Sequence, residues 1–464
     1  MAPIPRSLLV LLLVCAFTLG MGLALKDSCN GPSWDGYQYR ALCYNDIVPL
    51  YYAHGFEDDL FPYVDHPERD ADRPKGNYDP AKPDTHWGFV EYPVLTGLHM
   101  FFAAKLGSVW SRATGMPENG QTFLYTNAAM LSAFALASVV LLWRMVPDPR
   151  RVALFAAGTP VVLYAFHNWD LMAVFFLILT LYWFERGRFG ASGLALSFGA
   201  SAKLFPIVVA PLLFVVLWRA QYDAPASLAR VPAALWRALL RARNAWLLFV
   251  GTVVGFAVVN LPFLLWGSPS IYFEVFRFHL RRTPNFETIW WVAHEWGNRW
   301  GFEWMSRLDQ RPHLDRLLLA AFVLCFVAVA ALAWVRRWGP RTAAFAAVLV
   351  FLLLNKIFSV QYALWILPFF ALLPLPIWTF AVFAAADAWV YSTIFAFFGA
   401  SGTPRQDDSI RWLSWAVVTR TLSLLTLLAW LVAKVRRPLK GGSPTGLPPV
   451  THVAGEPAPR PEAH

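Results

Sequence analysis

Long apolar runs recur along almost the whole chain, and they constrain its fold more than any other feature. A helix needs about 20 apolar residues, at about 1.5 Å each, to cross roughly 30 Å of hydrocarbon. Seven stretches approach or exceed this length: 7–25, 92–110, 121–143, 245–266, 315–335, 376–398 and 412–433. Six shorter apolar pieces are 152–166, 169–184, 189–202, 204–218, 342–354 and 359–373. With 57% hydrophobic and 15% charged residues, the sequence predicts an all-α polytopic membrane protein with about 12 transmembrane helices.

Charge is distributed unevenly between the loops, and this sets the predicted orientation. The loop 26–91 holds thirteen acidic and six basic residues. Basic residues gather instead at 144–151, 186–188, 219–243, 336–341 and 434–440. Because short basic loops stay in the cytoplasm, we expect both termini inside and the loops 26–91 and 267–314 outside. The net charge of +10 then reflects topology, not nucleic-acid binding. The excess of arginine over lysine and the high alanine content favour a GC-rich bacterial genome, so we expect a bacterial plasma membrane.

One transmembrane domain, 1–437, accounts for nearly all of the chain. The remainder, 438–464, is rich in Gly and Pro and lacks apolar periodicity, so we expect a disordered cytoplasmic tail. The stretch 224–243 places apolar residues on one helical face and arginines on the other. This pattern predicts an amphipathic helix at the inner membrane surface.

Two points stay open at the level of sequence. Both termini can be inside only if the number of crossings is even, so one apolar piece does not cross fully. Either 189–218 is one helix interrupted at Lys203, or a piece between 92 and 202 is re-entrant. In the first loop, Cys29 and Cys43 form a disulfide or remain free thiols.

The first loop contains an acidic residue, Asp46, whose position suits a general base. Apolar residues at helical spacing predict a short helix over 42–54 that lies along the membrane surface. A carboxylate projecting from such a helix is partly desolvated and can take a proton from a substrate hydroxyl. On composition alone, the simpler interpretation is favoured, in which Asp46 is one of many acids that keep the loop soluble.

Polar residues interrupt the shorter apolar pieces at three places. These interruptions are His167, Asn168 and Asp170; Lys203; and Asn355, Lys356 and Gln361. Ionisable groups inside a membrane are costly, so each is a functional candidate by default. Three interruptions of one kind predict a shared polar cavity. The structural alternative is helix capping by Asn168 or Asp170 and snorkelling of Lys203.

A basic cluster in the second large loop is a candidate phosphate site. It comprises Arg277, His279, Arg281 and Arg282. Charge-assisted hydrogen bonds from such side chains hold phosphate, and a lipid phosphate is a natural ligand at this depth. The alternative is a set of ion pairs with the acidic first loop. The sequence contains no metal-ligand spacing, phosphate-binding glycine loop or nucleophile elbow.

Five motifs carry a family resemblance. In chain order they are CYNDIVPLYYAHGF, EYPVLTG, HNWDLMAVFFLILTLYWFERGR, GASAKLFP and NKIFSVQYALWILP. From about residue 7 to 434 the chain thereby resembles the bacterial membrane glycosyltransferases of family 87. That family belongs to the GT-C superfamily, which includes polyprenol-phosphate-mannose-dependent mannosyltransferases. The resemblance implies a GT-C-like bundle with short amphipathic helices in the first extracytoplasmic loop.

The resemblance also implies an enzyme that moves a sugar, mannose foremost, from a polyprenyl-phosphate donor to a lipid or glycan acceptor outside the cytoplasm. The superfamily's first-loop base falls on Asp46. Asp58 and Asp59 are rivals, because the superfamily often places its catalytic acid in an adjacent pair. A lone Asp46 fits the metal-independent members, so the resemblance implies neither a metal nor a cofactor.

The predicted reaction is a single inverting displacement in which Asp46 deprotonates the acceptor hydroxyl. The side chains expected to contact the donor phosphate or line the cavity are Arg281, Arg282, His279, Lys356, Lys203, Asp170, Gln361 and Glu91. The alternative function is a transporter or lipid flippase, with Asp170, Lys203 and Lys356 along its path. Transporters commonly contain inverted repeats, and this sequence has no evident internal repeat.

Overall fold

The computed structural model describes residues 4–31, 34–65, 90–225, 227–267, 269–309 and 311–434. Within these residues every regular element is helical and none is a strand, which confirms the all-α class. The α-helices are α1 Arg6–Asp27, α2 Tyr37–Arg40, α3 Ile47–Ala53, α4 Val94–Thr114, α5 Gly120–Met145, α6 Pro149–Ala156, α7 Thr159–Tyr164, α8 Asp170–Glu185, α9 Phe189–Ala202, α10 Ala210–Ala220, α11 Val231–Arg241, α12 Arg243–Trp266, α13 Pro269–Arg281, α14 Ile289–Trp300, α15 Glu303–Ser306, α16 Arg311–Arg336, α17 Pro340–Leu354, α18 Ala363–Leu372, α19 Ile377–Ala400 and α20 Gln406–Lys434.

Each of the seven predicted spans corresponds to a long helix. Six of these helices in the described chain, α1, α5, α12, α16, α19 and α20, are long and apolar enough to cross a membrane. The seventh, α4, has 21 residues and is therefore about 31 Å long. The chain is accordingly a multi-pass membrane protein, as predicted. Shorter apolar helices pack against the long ones: α9 contacts α12, α17 contacts α16 and α20, and α18 contacts α5.

The shorter apolar pieces are broken where the polar residues occur. The helix α9 ends at Ala202, and Lys203 is extended with φ −145° and ψ 142°. A 3₁₀ turn, Phe205–Val209, then leads into α10, so 189–218 is interrupted at Lys203, as one of the two alternatives predicted. The piece 152–166 is also divided, into α6 and α7, which are too short to cross a membrane individually.

Small residues bring α9 and α12 into close contact. A side chain at Gly193 would run into the backbone of α12, at the carbonyl oxygen of Leu248 and within 2.7 Å of the Thr252 nitrogen. A side chain at Gly251 would run into the Gly190 carbonyl oxygen in the same way. Membrane helices that lack a hydrophobic driving force between them use such small-residue contacts to pack closely.

The remaining loop predictions have mixed outcomes. Cys29 and Cys43 form a disulfide, which settles the choice left open. The predicted amphipathic segment 224–243 contains α11, but the helix covers only Val231–Arg241, after a 3₁₀ turn at Leu228–Arg230. Its position at the membrane surface stays a prediction. The tail 438–464 lies outside the described residues.

Candidate functional site

The helix interruptions converge on one large cavity. Its volume is about 1540 Å³, and it is bordered by the first loop, by the segments after α7, α9 and α17, and by the chain between α13 and α14. The interrupting residues that line it are His167, Asn168, Lys203, Asn355, Lys356 and Gln361. Asp170 is fully buried outside this lining and contacts Lys203. Six of the seven interrupting residues therefore border one cavity, and their roles in binding stay predictions.

Asp46 lines this cavity immediately before a short helix. The helix predicted over 42–54 is shorter than expected, because α3 begins only at Ile47. The oxygen of the Asn45 side chain accepts a hydrogen bond of 2.9 Å from the Val48 N–H and thereby caps the first turn. Since Asn45 provides the cap, the carboxylate of Asp46 is available to the cavity.

Hydrogen bonds fix both oxygens of the Asp46 carboxylate. The Asn168 amide donates to Oδ2 at 2.7 Å, and the Tyr44 hydroxyl donates to Oδ1 at 3.0 Å. The same Asn168 amide nitrogen donates to the Tyr92 hydroxyl at 2.7 Å. The Asp46 backbone N–H donates to the His167 carbonyl at 2.8 Å. The first loop and the turn between α7 and α8 therefore hold Asp46 in one orientation.

The surroundings of Asp46 also determine its basicity. Removal from water raises the pKa of Asp46, whereas the hydrogen bonds from Asn168 and Tyr44 and the charge of Lys203 lower it. Desolvation is the largest of these effects, so the pKa lies above the usual aspartate range. A carboxylate with a raised pKa holds a proton more tightly, which makes its deprotonated form a better general base.

Lys26, near the end of α1, supports the Asp46 segment from inside the protein. Its ammonium group is buried and donates to the Tyr44 carbonyl at 2.8 Å and to the Tyr391 hydroxyl at 2.9 Å. The Tyr391 hydroxyl in turn donates to the Leu42 carbonyl at 2.5 Å. These bonds attach the first loop to α1 and α19. The sequence analysis missed Lys26, although a lysine that closes a long apolar run is a recognisable signal.

An ion pair holds Lys203 at the cavity wall. Its ammonium nitrogen lies 2.9 Å from Asp170 Oδ2, and the Trp365 indole N–H donates to the other oxygen at 2.7 Å. The ammonium group also lies 5.2 Å from the ring centre of Tyr92 and 5.8 Å from that of Tyr362. Asp170 is the first residue of α8 and does not line the cavity. It therefore acts on Lys203 and not on the cavity directly.

Three other predicted residues line the cavity, two of them with close partners. Lys356 donates to Asp315 Oδ1 at 2.7 Å and to the Leu280 carbonyl at 3.0 Å. Glu91 lies with its Oε2 atom 2.9 Å from the His54 Nε2 atom. Gln361 is buried in the 3₁₀ turn that precedes α18.

The basic cluster of the second loop divides into two parts. Arg277 and Arg281 lie on α13 and pair with Glu274 of the same helix, at 3.6 and 2.8 Å. The side chain of Arg281 is 65% exposed. Arg281 and Arg282 both line the cavity. Arg282 follows the helix end and donates to the Asn285 side-chain oxygen at 2.8 Å. Among the residues that the structure describes, Arg282 has no carboxylate at ion-pair distance.

His279 lines the cavity, but its charge differs from the positive charge that its place in the basic cluster predicts. Burial, assisted by the nearby charge of Arg282, lowers the pKa of His279 to about 4. The imidazole is consequently neutral near pH 7. It offers a hydrogen bond to a ligand and not the positive charge that the sequence analysis expected.

The rival acids Asp58 and Asp59 are not among the residues that line the cavity. Asp59 forms an ion pair with Lys105 and has a side chain that is 66% exposed. Within the described ranges, no three His, Cys, Asp or Glu residues form a group that could hold a metal ion. Independence from metal remains a prediction of the sequence.

The structure adds charged residues that the sequence analysis did not select. Glu287 lines the cavity and is 8% exposed, and burial raises its pKa to about 7. Asp387 and Arg420 form a buried pair at 3.4 Å between α19 and α20. Both members interrupt predicted spans, so the rule that selected Lys203 applies equally to them.

Fold and cavity together define the class: an all-α, multi-pass membrane protein with acidic and basic side chains around one large cavity at its helix ends. The chain belongs to the mannosyltransferase (PIG-M) family, whose model matches residues 165–435, more than half of the sequence. Asp46 lies before the matched range, so its assignment depends on the cavity geometry.

A relative from Trypanosoma brucei brucei (strain 927/4 GUTat10.1), GPI mannosyltransferase 1, is 25% identical over 229 residues. The match covers 48% of this chain and 50% of the relative, so the chain spans about half the length of that protein. Both comparisons support the predicted class, a GT-C-type mannosyltransferase. They do not single out family 87 or a bacterial source.

Proposed function

We propose that this protein transfers mannose from a polyprenyl-phosphate donor to a hydroxyl of a lipid or glycan acceptor on the extracytoplasmic face of the plasma membrane. One observation carries the proposal: the cavity brings the oriented Asp46 carboxylate together with the cations Lys203, Arg282 and Lys356. A base and an anion site in one enclosure are what this reaction needs. The family membership supports the choice of mannose.

In the proposed reaction, Asp46 accepts the proton of the acceptor hydroxyl while that oxygen forms a bond to the anomeric carbon. The bond between this carbon and the phosphate oxygen breaks at the same time, and the polyprenyl phosphate leaves with the bonding electrons. Attack from the side opposite the phosphate inverts the anomeric configuration. The phosphodiester already activates the sugar, so no nucleotide is consumed.

The cations of the cavity suit the leaving phosphate to different degrees. Lys203 and Lys356 are already paired with Asp170 and Asp315. Arg282 contacts the neutral amide of Asn285, so it keeps more capacity to bind a dianionic phosphate. We therefore assign Arg282 as the main phosphate ligand. Lys203 and Lys356 contribute a positive potential that stabilises the charge developing on the leaving group.

The test uses the purified protein in liposomes, supplied with polyprenyl phosphate [³H]mannose and a membrane-lipid extract as acceptor. The wild-type protein is expected to form a labelled glycolipid. Asp46→Asn keeps the size and the hydrogen-bonding capacity of the side chain but removes its basicity, so we expect the rate to fall roughly 10²- to 10⁴-fold. Asp59→Asn is the matched control, because that carboxylate is exposed and absent from the cavity lining.

Three outcomes have defined meanings. Wild-type turnover by Asp46→Asn would refute its role as the base. Loss of activity in Asp59→Asn alone would move that role to the rival acid. Labelled sugar that crosses the bilayer without a new glycosidic bond would favour the transporter or lipid flippase.

A further inference from the structure

Another carboxylate, Glu287, borders the cavity from the chain between α13 and α14. It is 8% exposed and lies in the short segment between α13 and α14. None of the described cations lies at ion-pair distance from it. A carboxylate is an acceptor with about four lone-pair sites. A buried carboxylate of this kind is costly unless a ligand or a neighbouring donor satisfies it.

The backbone around Glu287 is fixed on both sides. The Asn285 N–H donates to the Lys356 carbonyl at 2.9 Å, and the Asn285 side chain donates to the Ser359 hydroxyl at 3.1 Å. The Thr288 hydroxyl accepts from the Trp291 N–H at 3.2 Å and caps α14. Residues on both sides of Glu287 are thus anchored, one to a neighbouring segment and one to the start of a helix.

Arg420 anchors Glu287 itself. Its guanidinium donates to the Glu287 carbonyl oxygen at 2.6 Å and lies 3.9 Å from the ring centre of Phe358. This bond involves only the backbone of Glu287. A substitution of the Glu287 side chain therefore leaves the anchor in place, and the side chain is held at a defined point of the cavity wall.

Glu287 lies within electrostatic range of both ends of the proposed reaction centre. It lines the same cavity as Arg282 and Asp46, and the charges of both act on its carboxyl group. Arg282 is the proposed phosphate ligand, and Asp46 is the proposed base. In a displacement at the anomeric carbon, the sugar ring lies between the phosphate that leaves and the hydroxyl that attacks. Glu287 is therefore near the space that the transferred sugar has to occupy.

Aromatic rings form a continuous wall from Glu287 to Asp46. Phe286, next to Glu287, packs against Phe398 with ring centres 5.8 Å apart. Phe398 contacts Tyr39 at 5.4 Å, and Tyr39 contacts Tyr44 at 5.7 Å. Tyr44 is the residue that donates to Asp46. An apolar wall with a few fixed polar groups is the usual composition of a small-molecule site.

We infer that Glu287 accepts hydrogen bonds from ring hydroxyls of the transferred sugar and helps to select that sugar. This inference rests on the proposed function, since it assigns the sugar subsite of the same reaction. Hydroxyl-to-carboxylate hydrogen bonds are charge-assisted and strong. A site built to bind a particular hydroxyl discriminates strongly against a donor that lacks it.

The test compares wild type with Glu287→Ala on polyprenyl phosphate mannose and on its 2-, 3-, 4- and 6-deoxy analogues. With the full donor, we expect Glu287→Ala to raise KM by about tenfold or more, which corresponds to about 1.4 kcal/mol. With wild type, one or two of the deoxy analogues are expected to show a similar rise in KM. The same analogues should suffer little further loss with Glu287→Ala, because the partner of the missing hydroxyl is already gone.

Glu303→Gln is the matched control, because this glutamate has a side chain that is 84% exposed and is absent from the cavity lining. The inference would be overturned if each deoxy analogue lost as much activity, relative to the full donor, with Glu287→Ala as with wild type. Such a result is expected of a purely structural role, because its effect does not depend on any one hydroxyl. Full activity of Glu287→Ala would overturn it too. Absence of transfer by the wild-type protein would instead refute the proposed function, so the two failures are distinguishable.

Discussion

The Asn168 side-chain amide donates a hydrogen bond of 2.7 Å to Oδ2 of Asp46, across 122 residues of sequence. It joins the segment before α3 to the turn between α7 and α8. The proposed base is therefore oriented by a residue from a different part of the chain.

Asn168→Ala is expected to lower kcat because Asp46 loses that orientation. A hydrogen bond to a charged group contributes about 1.5–3 kcal/mol, so we expect a loss of roughly 10- to 100-fold. The KM for the donor should change little, since Asn168 is not assigned to donor binding. Steady-state kinetics with the lipid-linked donor measure both constants. A change confined to KM would contradict this role of Asn168.

The pH profile gives an independent measure of the same bond. The proposed base, Asp46, can accept a proton only when it is deprotonated, so we expect kcat to fall as the pH drops through its pKa. The Asn168 hydrogen bond lowers this pKa. Its removal raises the pKa, and the acidic limb of the profile in Asn168→Ala should therefore move to higher pH than in wild type. An unmoved limb would assign the titration to a different group.

Arg282→Ala and Arg281→Ala should differ in their effect on the KM for the donor, although the two residues are adjacent. Both line the cavity, but Arg282 has no carboxylate at ion-pair distance among the described residues, whereas Arg281 has a side chain that is 65% exposed and paired with Glu274. Loss of a charge-assisted contact to phosphate should raise the donor KM about tenfold or more in Arg282→Ala. An exposed ion pair contributes about 0–1 kcal/mol, so Arg281→Ala should change KM by a few-fold at most. Equal effects would place the phosphate elsewhere.

The stability of the protein should fall more when one partner of the buried pair Lys203–Asp170 is replaced than when both are replaced. Asp170→Asn leaves an uncompensated lysine and is expected to destabilise the protein by about 3 kcal/mol or more. In the double variant Asp170→Asn/Lys203→Met, no charge remains unpaired, so part of this stability should return. Thermal unfolding in detergent measures the difference. A double variant less stable than Asp170→Asn would contradict the expectation.

Gly193→Ala and Gly190→Ala form a matched pair on one helix. A methyl group at Gly193 would collide with the backbone of α12, whereas at Gly190 it would meet no atom within 4 Å. Gly193→Ala should therefore destabilise the protein by roughly 1–3 kcal/mol. Gly190→Ala should be neutral or slightly stabilising, because alanine favours a helix. Thermal unfolding of the two variants side by side tests the difference, and similar midpoints would contradict it.

Much of the architecture follows from the sequence because membrane spans obey a simple length requirement. All seven predicted long spans correspond to long helices, and residues from all three polar interruptions line one cavity. The interruption at Lys203 was one of two open alternatives. The start of α3 was predicted too early. Helical periodicity does not reveal that the side chain of Asn45 caps the first turn of a helix that begins at Ile47.

The contacts between distant residues could not be predicted in this way. No local pattern indicates that Tyr44 and Asn168 share the Asp46 carboxylate, since their distance depends on helix packing. The neutral state of His279 likewise results from burial in the folded protein. Asp387 and Arg420 are different, because the sequence signal for them was present and was not used.

The bond from Arg420 to the Glu287 carbonyl has a consequence for biosynthesis. The two residues are 133 positions apart, and Arg420 lies in the last described helix. A nascent chain therefore inserts Asp46, Lys203 and Glu287 well before the residue that anchors this part of the cavity wall has been translated. The cavity wall is completed only when α20 enters the bilayer, so translation products that are truncated before α20 would lack a finished cavity.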